Sequence, residues 1–327
     1  MEKDKTIIEN AYVSYFDILG FTSRFVSGDL MQRYDKLVNA TKAIKDKDIN
    51  IFLLSDGIVM ISVNFEKIKK GTQAFYTWGI LNDFWLRGAI TRGNVTKYDM
   101  QSIAFKDKIV LPFLGEGYLK AYKLESTLNI SGIIIDDAFF SHGATNLSLK
   151  EDIDYVEYEE YLPKRGYEGR KRLLLPKEKS ISQIVDTMYF EEMLKSHIED
   201  IDKYINTFCF FVKFFLESAS LGVVKTFMEK ILGDLTLHGR RALIPSKVVI
   251  IFVALIEGLI DRYRSGKHPD YSDPSALELD IDSILRTLKD EGYLPTFTDY
   301  LLDYDKKMRT TLYKDINNLR SGSLTFV

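Results

Sequence analysis

The order of apolar patterns between residues 11 and 140 predicts an α+β fold, a single antiparallel sheet covered by helices in the ferredoxin-like or palm-type arrangement. Three observations carry this prediction. Tyr12–Leu19 is an almost unbroken apolar run of strand length. Ile49–Leu54 and Ile58–Val63 are two further runs, separated only by Ser55-Asp56-Gly57. Helix-period segments follow the first run and the pair. Strand, helix, hairpin, helix, strand is not the βαβα alternation of a doubly wound fold, and no glycine-rich phosphate loop of the Walker or dinucleotide type occurs.

Each element has its own warrant. The low polarity of Tyr12–Leu19 suits a strand covered on both faces. Leu30, Tyr34, Leu37, Thr41 and Ile44 recur at helical spacing, with Lys42, Lys45 and Lys47 near the end, where cations suit the helix dipole. Asp-Gly between apolar runs is a strong short-range hairpin signal. A second helix is predicted from Glu66 to about Phe84, a strand over Leu86–Val95, and a further strand ending near Leu111. Leu114–Ser126 reads as a helix and Ile130–Ile135 as a buried strand.

After about residue 150 the character changes, so the expected division is 1–150 and 151–327. Tyr155–Tyr161 and Arg172–Leu175 are expected to pair as a small hairpin. Its polar, basic turn, Lys164 to Arg170, reads as a solvated surface. Helices then dominate. Ile201, Tyr204, Ile205, Phe208, Phe211, Val212 and Phe215 keep helical spacing, Val248–Tyr263 is apolar nearly all round, and Leu277 to Leu288 form a helix stopped at Gly292. Tyr300–Leu319 reads as one last helix, and His268–Pro274 as a loop.

Bulk properties exclude several functions. A formal net charge of -3 gives no electrostatic case for nucleic acid. The single cysteine, Cys209, lies in an apolar helical stretch and reads as a buried thiol in a reduced, cytoplasmic setting. The start, Met1 to Lys5, has no signal-peptide core. The two greasiest stretches, Phe208–Val224 and Val248–Ile260, are interrupted or too short to span a bilayer, which takes about 20 apolar residues. A soluble protein without a membrane span is expected. The four histidines, His142, His197, His238 and His268, have no metal-site spacing.

Chemistry concentrates on two aspartates. Asp17 closes the first apolar strand, and Asp56 sits in the hairpin turn. Taken alone, Asp56 before Gly57 reads as a turn residue. Carboxylates at the tips of adjacent strands are what a protein needs to hold divalent metal against a phosphate chain.

The flanking segments resemble the class III nucleotidyl cyclases. Phe16-Asp17-Ile18-Leu19-Gly20-Phe21-Thr22 is similar to their first metal motif, and Ser55-Asp56-Gly57 to their second. Leu86-Arg87-Gly88-Ala89-Ile90-Thr91-Arg92-Gly93-Asn94-Val95 resembles their arginine-bearing strand. Leu114 to Ser126 resembles the helix that supplies transition-state residues from the partner subunit. Each motif is weak, but the ordered set spans most of residues 11–140. The resemblance implies that Asp17 and Asp56, with the Ile18 carbonyl, bind two Mg2+ or Mn2+ ions. It also implies that the backbone at Gly20 and Phe21 cradles phosphates, that Arg87 and Lys123 stabilise phosphate charge, and that a homodimer builds composite sites around a nucleoside triphosphate. An alternative reading of Arg87 is a strand arginine paired to a carboxylate.

Departures from the family pattern bear on the substrate. Leu119 stands where the family has a ribose-orienting asparagine, and Lys123 where it has arginine; lysine keeps the charge but loses the planar fork. Phe52 and Pro112 occupy the purine-selecting positions, and neither can read the edge of adenine. Phe52 can stack on a base or pack in the core. Leu111-Pro112-Phe113-Leu114-Gly115 and Ala121-Tyr122-Lys123-Leu124-Glu125-Ser126 also resemble the bacterial Pycsar cyclases, which make cyclic pyrimidine nucleotides as alarm signals during phage infection. That resemblance implies a cyclase acting on CTP or UTP. A purine cyclase, or a catalytically inactive nucleotide-binding or dimerisation module, is the alternative.

Overall fold

A computed structural model describes residues 5–19, 30–44, 46–54, 57–82, 84–98, 112–140, 149, 154–177, 201–218, most of 222–233, 245–265, 274–308 and 310–320. The chain divides into two compact units, Met1–Thr187 and Met188–Val327.

The first unit is an α+β structure. It runs β1 (Lys5–Ile18), α1 (Leu30–Ala43), β2 (Asn50–Leu53), β3 (Gly57–Ser62), α2 (Phe65–Leu81), β4 (Leu86–Tyr98), β5 (Phe113–Gly115), α3 (Glu116–Glu125) and β6 (Ile133–Ile135). A short 3-10 turn at Asp137–Phe139 precedes the hairpin β7 (Tyr155–Tyr158) and β8 (Lys171–Leu174). The strands join in one eight-stranded sheet of order β2-β3-β1-β4-β6-β8-β7, with β5 added to the far end of β4. All pairings are antiparallel except β4 with β6.

The alternation of side chains along β1 explains how the sheet is covered on both faces. Phe16 meets Phe75 of α2 at 5.4 Å between ring centroids, and Tyr12 meets Phe65 at 5.3 Å. The odd-numbered Tyr15 instead packs against Tyr118 and Tyr122 of α3, at 5.8 and 5.7 Å. So α2 covers the even face of β1 and α3 the odd face, and Asp17, being odd, belongs to the face of α3. Close approach of α3 requires glycine on both sides. A Cβ at Gly93 of β4 would lie 2.6 Å from the Gly117 nitrogen, and one at Gly117 would lie 2.9 Å from Val13 Cγ2.

Strands β2 and β3 pair antiparallel as the sequence predicts: Leu53 pairs with Ile58, and the Leu54 N–H donates to the Gly57 carbonyl at 2.7 Å. Strands β1 and β4 are longer than their apolar runs, because each continues as a paired ribbon through Lys5↔Tyr98 past a bulge between Ile8 and Ala11. The segment read as the start of a helix at Leu114 is strand β5, and helix begins only at Glu116. The strand ending near Leu111 lies outside the described residues.

The hairpin of β7 and β8 is not part of the C-terminal region. Leu173 pairs with Ile134 and extends the sheet, so the first unit runs past residue 150 to Thr187. Sequence patterns mark the hairpin but do not say which edge it joins.

The second unit contains α4 (Ile201–Ser218), α5 (Pro245–Ser265), α6 (Pro274–Asp290), α7 (Leu294–Met308) and α8 (Leu312–Arg320). Gly292, at φ 77°, ends α6 as expected. The single last helix expected over Tyr300–Leu319 is two. Asp305 turns its carboxylate onto the N–H groups of Leu312 (3.0 Å) and Tyr313 (2.8 Å) and takes the Thr310 hydroxyl, so it caps a new helix instead of continuing the old one. No helix among the described residues is long and apolar enough to cross a membrane. Cys209 is buried, and burial pushes its thiol well above the usual range. The four histidines and the loop at 268–273 lie outside the described residues.

Candidate functional site

Antiparallel register places the polar end of β1. Asp17 stands opposite Gly57 on β3 and opposite Arg87 on β4. Gly57 is the residue that follows Asp56 in the chain. Asp56 itself, with Gly20 and Phe21, lies outside the described residues. Ile18, the next residue of β1, pairs with Leu86 and is buried.

Arg87 is the centre of the described site. Its Nη2 donates to Asp17 Oδ2 at 3.0 Å, its Nη1 donates to the Leu128 carbonyl at 3.3 Å, and its Nε faces the Glu125 carboxylate in an ion pair. The side chains of Arg87, Asp17 and Glu125 are 12%, 23% and 3% exposed, so the network is largely withdrawn from water. Burial raises the Glu125 carboxyl above its ordinary value, and the adjacent Arg87 charge opposes that rise.

Glu125 lies in the Leu114–Ser126 segment, and no role for it is predicted from the sequence. A signal was present. A glutamate in the last turn of a helix sits at the negative end of the helix dipole, where an acid is disfavoured unless a cation holds it. Arg87 is that cation.

On the same face, an aromatic row runs from β2 to α3. Phe52 packs on Phe113 at 4.7 Å, Phe113 on Tyr118 at 5.1 Å, and Tyr118 on Tyr15. Phe52 is thus a partner in a protein-internal cluster and only half-buried, while Pro112, one residue before Phe113, accepts the Tyr98 N–H at 2.9 Å. These two positions come together near the β2 side of the row. Leu119 (47% exposed) and Lys123 point outward from α3, away from the buried Ala121 and Glu125, while Tyr122 is half exposed beside Tyr15. Within one chain, Lys123 and Leu119 do not join Asp17 and Arg87.

Magnesium and manganese prefer hard oxygen ligands, which Asp17 supplies. Among the described residues no group of three or more His, Cys, Asp or Glu side chains could hold a metal ion. Of the predicted side-chain ligands, Asp17 is the one within the described residues, and Arg87 is paired with it. Compared with models of known protein families and with curated proteins, the chain matches none.

Proposed function

We propose that the first unit is a nucleotidyl cyclase of the class III kind, which converts CTP or UTP to the 3′,5′-cyclic monophosphate and pyrophosphate as a homodimer. By its resemblance to the Pycsar enzymes, the product would be an antiviral signal. The observation that carries the reading is the register at the end of β1, with Asp17 opposite Gly57, the residue that follows Asp56, and opposite Arg87.

A site of this kind lets the ribose 3′-hydroxyl attack the α-phosphorus, lose its proton, and expel pyrophosphate as the α–β bridging bond breaks. Two bound divalent ions would neutralise the phosphates and lower the pKa of the hydroxyl. Asp17 and Asp56, with the Ile18 carbonyl, would hold those ions. The backbone at Gly20 and Phe21 would receive phosphate oxygens. The outward placement of Lys123 and Leu119 suits a contribution to a second copy's site, where Lys123 would offset charge developing on the phosphates. Phe52 and Pro112 leave the base edge unread by charge, which supports a pyrimidine over adenine.

The test is turnover of each of the four nucleoside triphosphates with manganese, by the full chain and by Asp17→Ala. Cyclic pyrimidine product from the parent protein and none from the variant is the expected result. Undiminished turnover by Asp17→Ala would remove the metal assignment, and a purine product would move the reading to a purine cyclase. One observation favours a catalytically inactive module instead: Asp17 is already engaged by Arg87. Triphosphate binding without any cyclic product would decide for it.

A further inference from the structure

We propose that Arg87 and Glu125 form a positioning clamp that sets the direction of Asp17 by tying it to the C-terminal turn of α3, and that Arg87 acts on substrate only through Asp17. Three facts converge on this. All three guanidinium nitrogens are committed inside the protein, to Glu125, to the Leu128 carbonyl at 3.3 Å and to Asp17 at 3.0 Å. The side-on edge formed by Nε and Nη2, one of the two edges with which a guanidinium grips a phosphate, is thereby turned to the protein's own carboxylates. Glu125, 3% exposed in the unfavourable last turn of its helix, has Arg87 as its ion-pair partner.

The far end of the clamp is itself fastened. The Asn129 N–H donates to Glu160 at 2.9 Å, Lys164 Nζ to the Ser126 carbonyl at 2.6 Å, and Lys171 Nζ to the Thr127 carbonyl at 3.3 Å. The turn after α3 is thus bolted to the segment around β7 and β8. Its near end is one carboxylate at the tip of a strand. A rigid anchor on one side and a single side chain on the other make Asp17 the group whose direction is set, as second-layer contacts set the direction of ligating carboxylates elsewhere.

Only the kinetic part of the test rests on the cyclase reading. Amide hydrogen exchange of the full chain, parent against Glu125→Gln, addresses the clamp without reference to activity. The expected result is exchange rising roughly tenfold in peptides covering 15–19 and 86–89 as well as 122–128. A rise confined to 122–128 overturns the proposal. In turnover, Glu125→Gln and Arg87→Lys should each lower kcat by roughly 10- to 100-fold, with the nucleotide KM within about twofold of the parent. Arg87→Lys raising KM while kcat holds overturns it too, because that is the behaviour of a phosphate contact. A parent protein that makes no cyclic nucleotide ends the cyclase reading, and the exchange result then decides the clamp alone.

Discussion

Replacing Gly93 with alanine tests the packing that brings α3 onto the sheet. The new Cβ would lie 2.6 Å from the Gly117 nitrogen, 2.9 Å from its Cα and 3.2 Å from the Glu116 carbonyl carbon. These are backbone atoms in the first turn of α3, so no side chain can swing aside. Reaching an ordinary separation of ~3.5 Å requires the helix start to move about 0.9 Å from β4. That movement stretches the hydrogen bond from Thr91 Oγ1 to the Gly117 carbonyl, now 2.7 Å. Overpacking of this kind costs about 1–3 kcal/mol. In a unit of this size the expected fall in Tm is roughly 2–12 °C. The two tryptophans, Trp78 and Trp85, both lie in the first unit, so their fluorescence follows its unfolding separately from the helical unit. Gly132→Ala is the control, since its Cβ would meet Ile130 and Leu173 side chains at 3.6 to 3.8 Å, ordinary contact distances. It should leave Tm within about 1 °C. A Gly93→Ala midpoint no lower than that of Gly132→Ala would refute the close-approach argument.

Glu160, buried against Lys171 at 3.0 Å, carries a carboxyl that burial raises above its ordinary 4.5. The folded state holds that proton to higher pH than the unfolded chain does. Its contribution is therefore complete below 4.5 and is lost as pH rises through the folded value. Glu160→Gln should flatten the decline of the tryptophan-monitored Tm over that window; an equal or steeper decline counts against it. Cys209, whose thiol burial pushes upward, should react with a disulfide reagent at least roughly 100-fold more slowly in native protein than in denaturant. Comparable rates in the two conditions would show that α4 opens readily.

The sheet was legible because its pattern is local. Period-two and unbroken apolar runs, an Asp-Gly turn and two helix-period segments name the elements from β1 to β4 without reference to distant residues. The split at Asp305 was less legible, because a helical apolar stripe continues through it. Only the carboxylate's reach to Leu312 and Tyr313 shows that a second helix starts there. The edge joined by β7 and β8 was invisible for a related reason. An alternating run states that it pairs, not with what.

The candidate site divides in the same way. By itself the sequence put an aspartate at the end of an apolar strand, an arginine at the head of another, and an Asp-Gly turn between two more. Residue type and local pattern suffice for that, since strand tips are where polar groups avoid burial. What only tertiary structure decided is which of them meet. Register set Asp17 between Gly57 and Arg87, and the odd face of β1 turned both side chains toward α3. There a glutamate 38 positions along from Arg87 completes the ion pair. Contacts between residues far apart in the chain depend on strand order and on the close approach allowed by Gly93 and Gly117, and no local pattern encodes either.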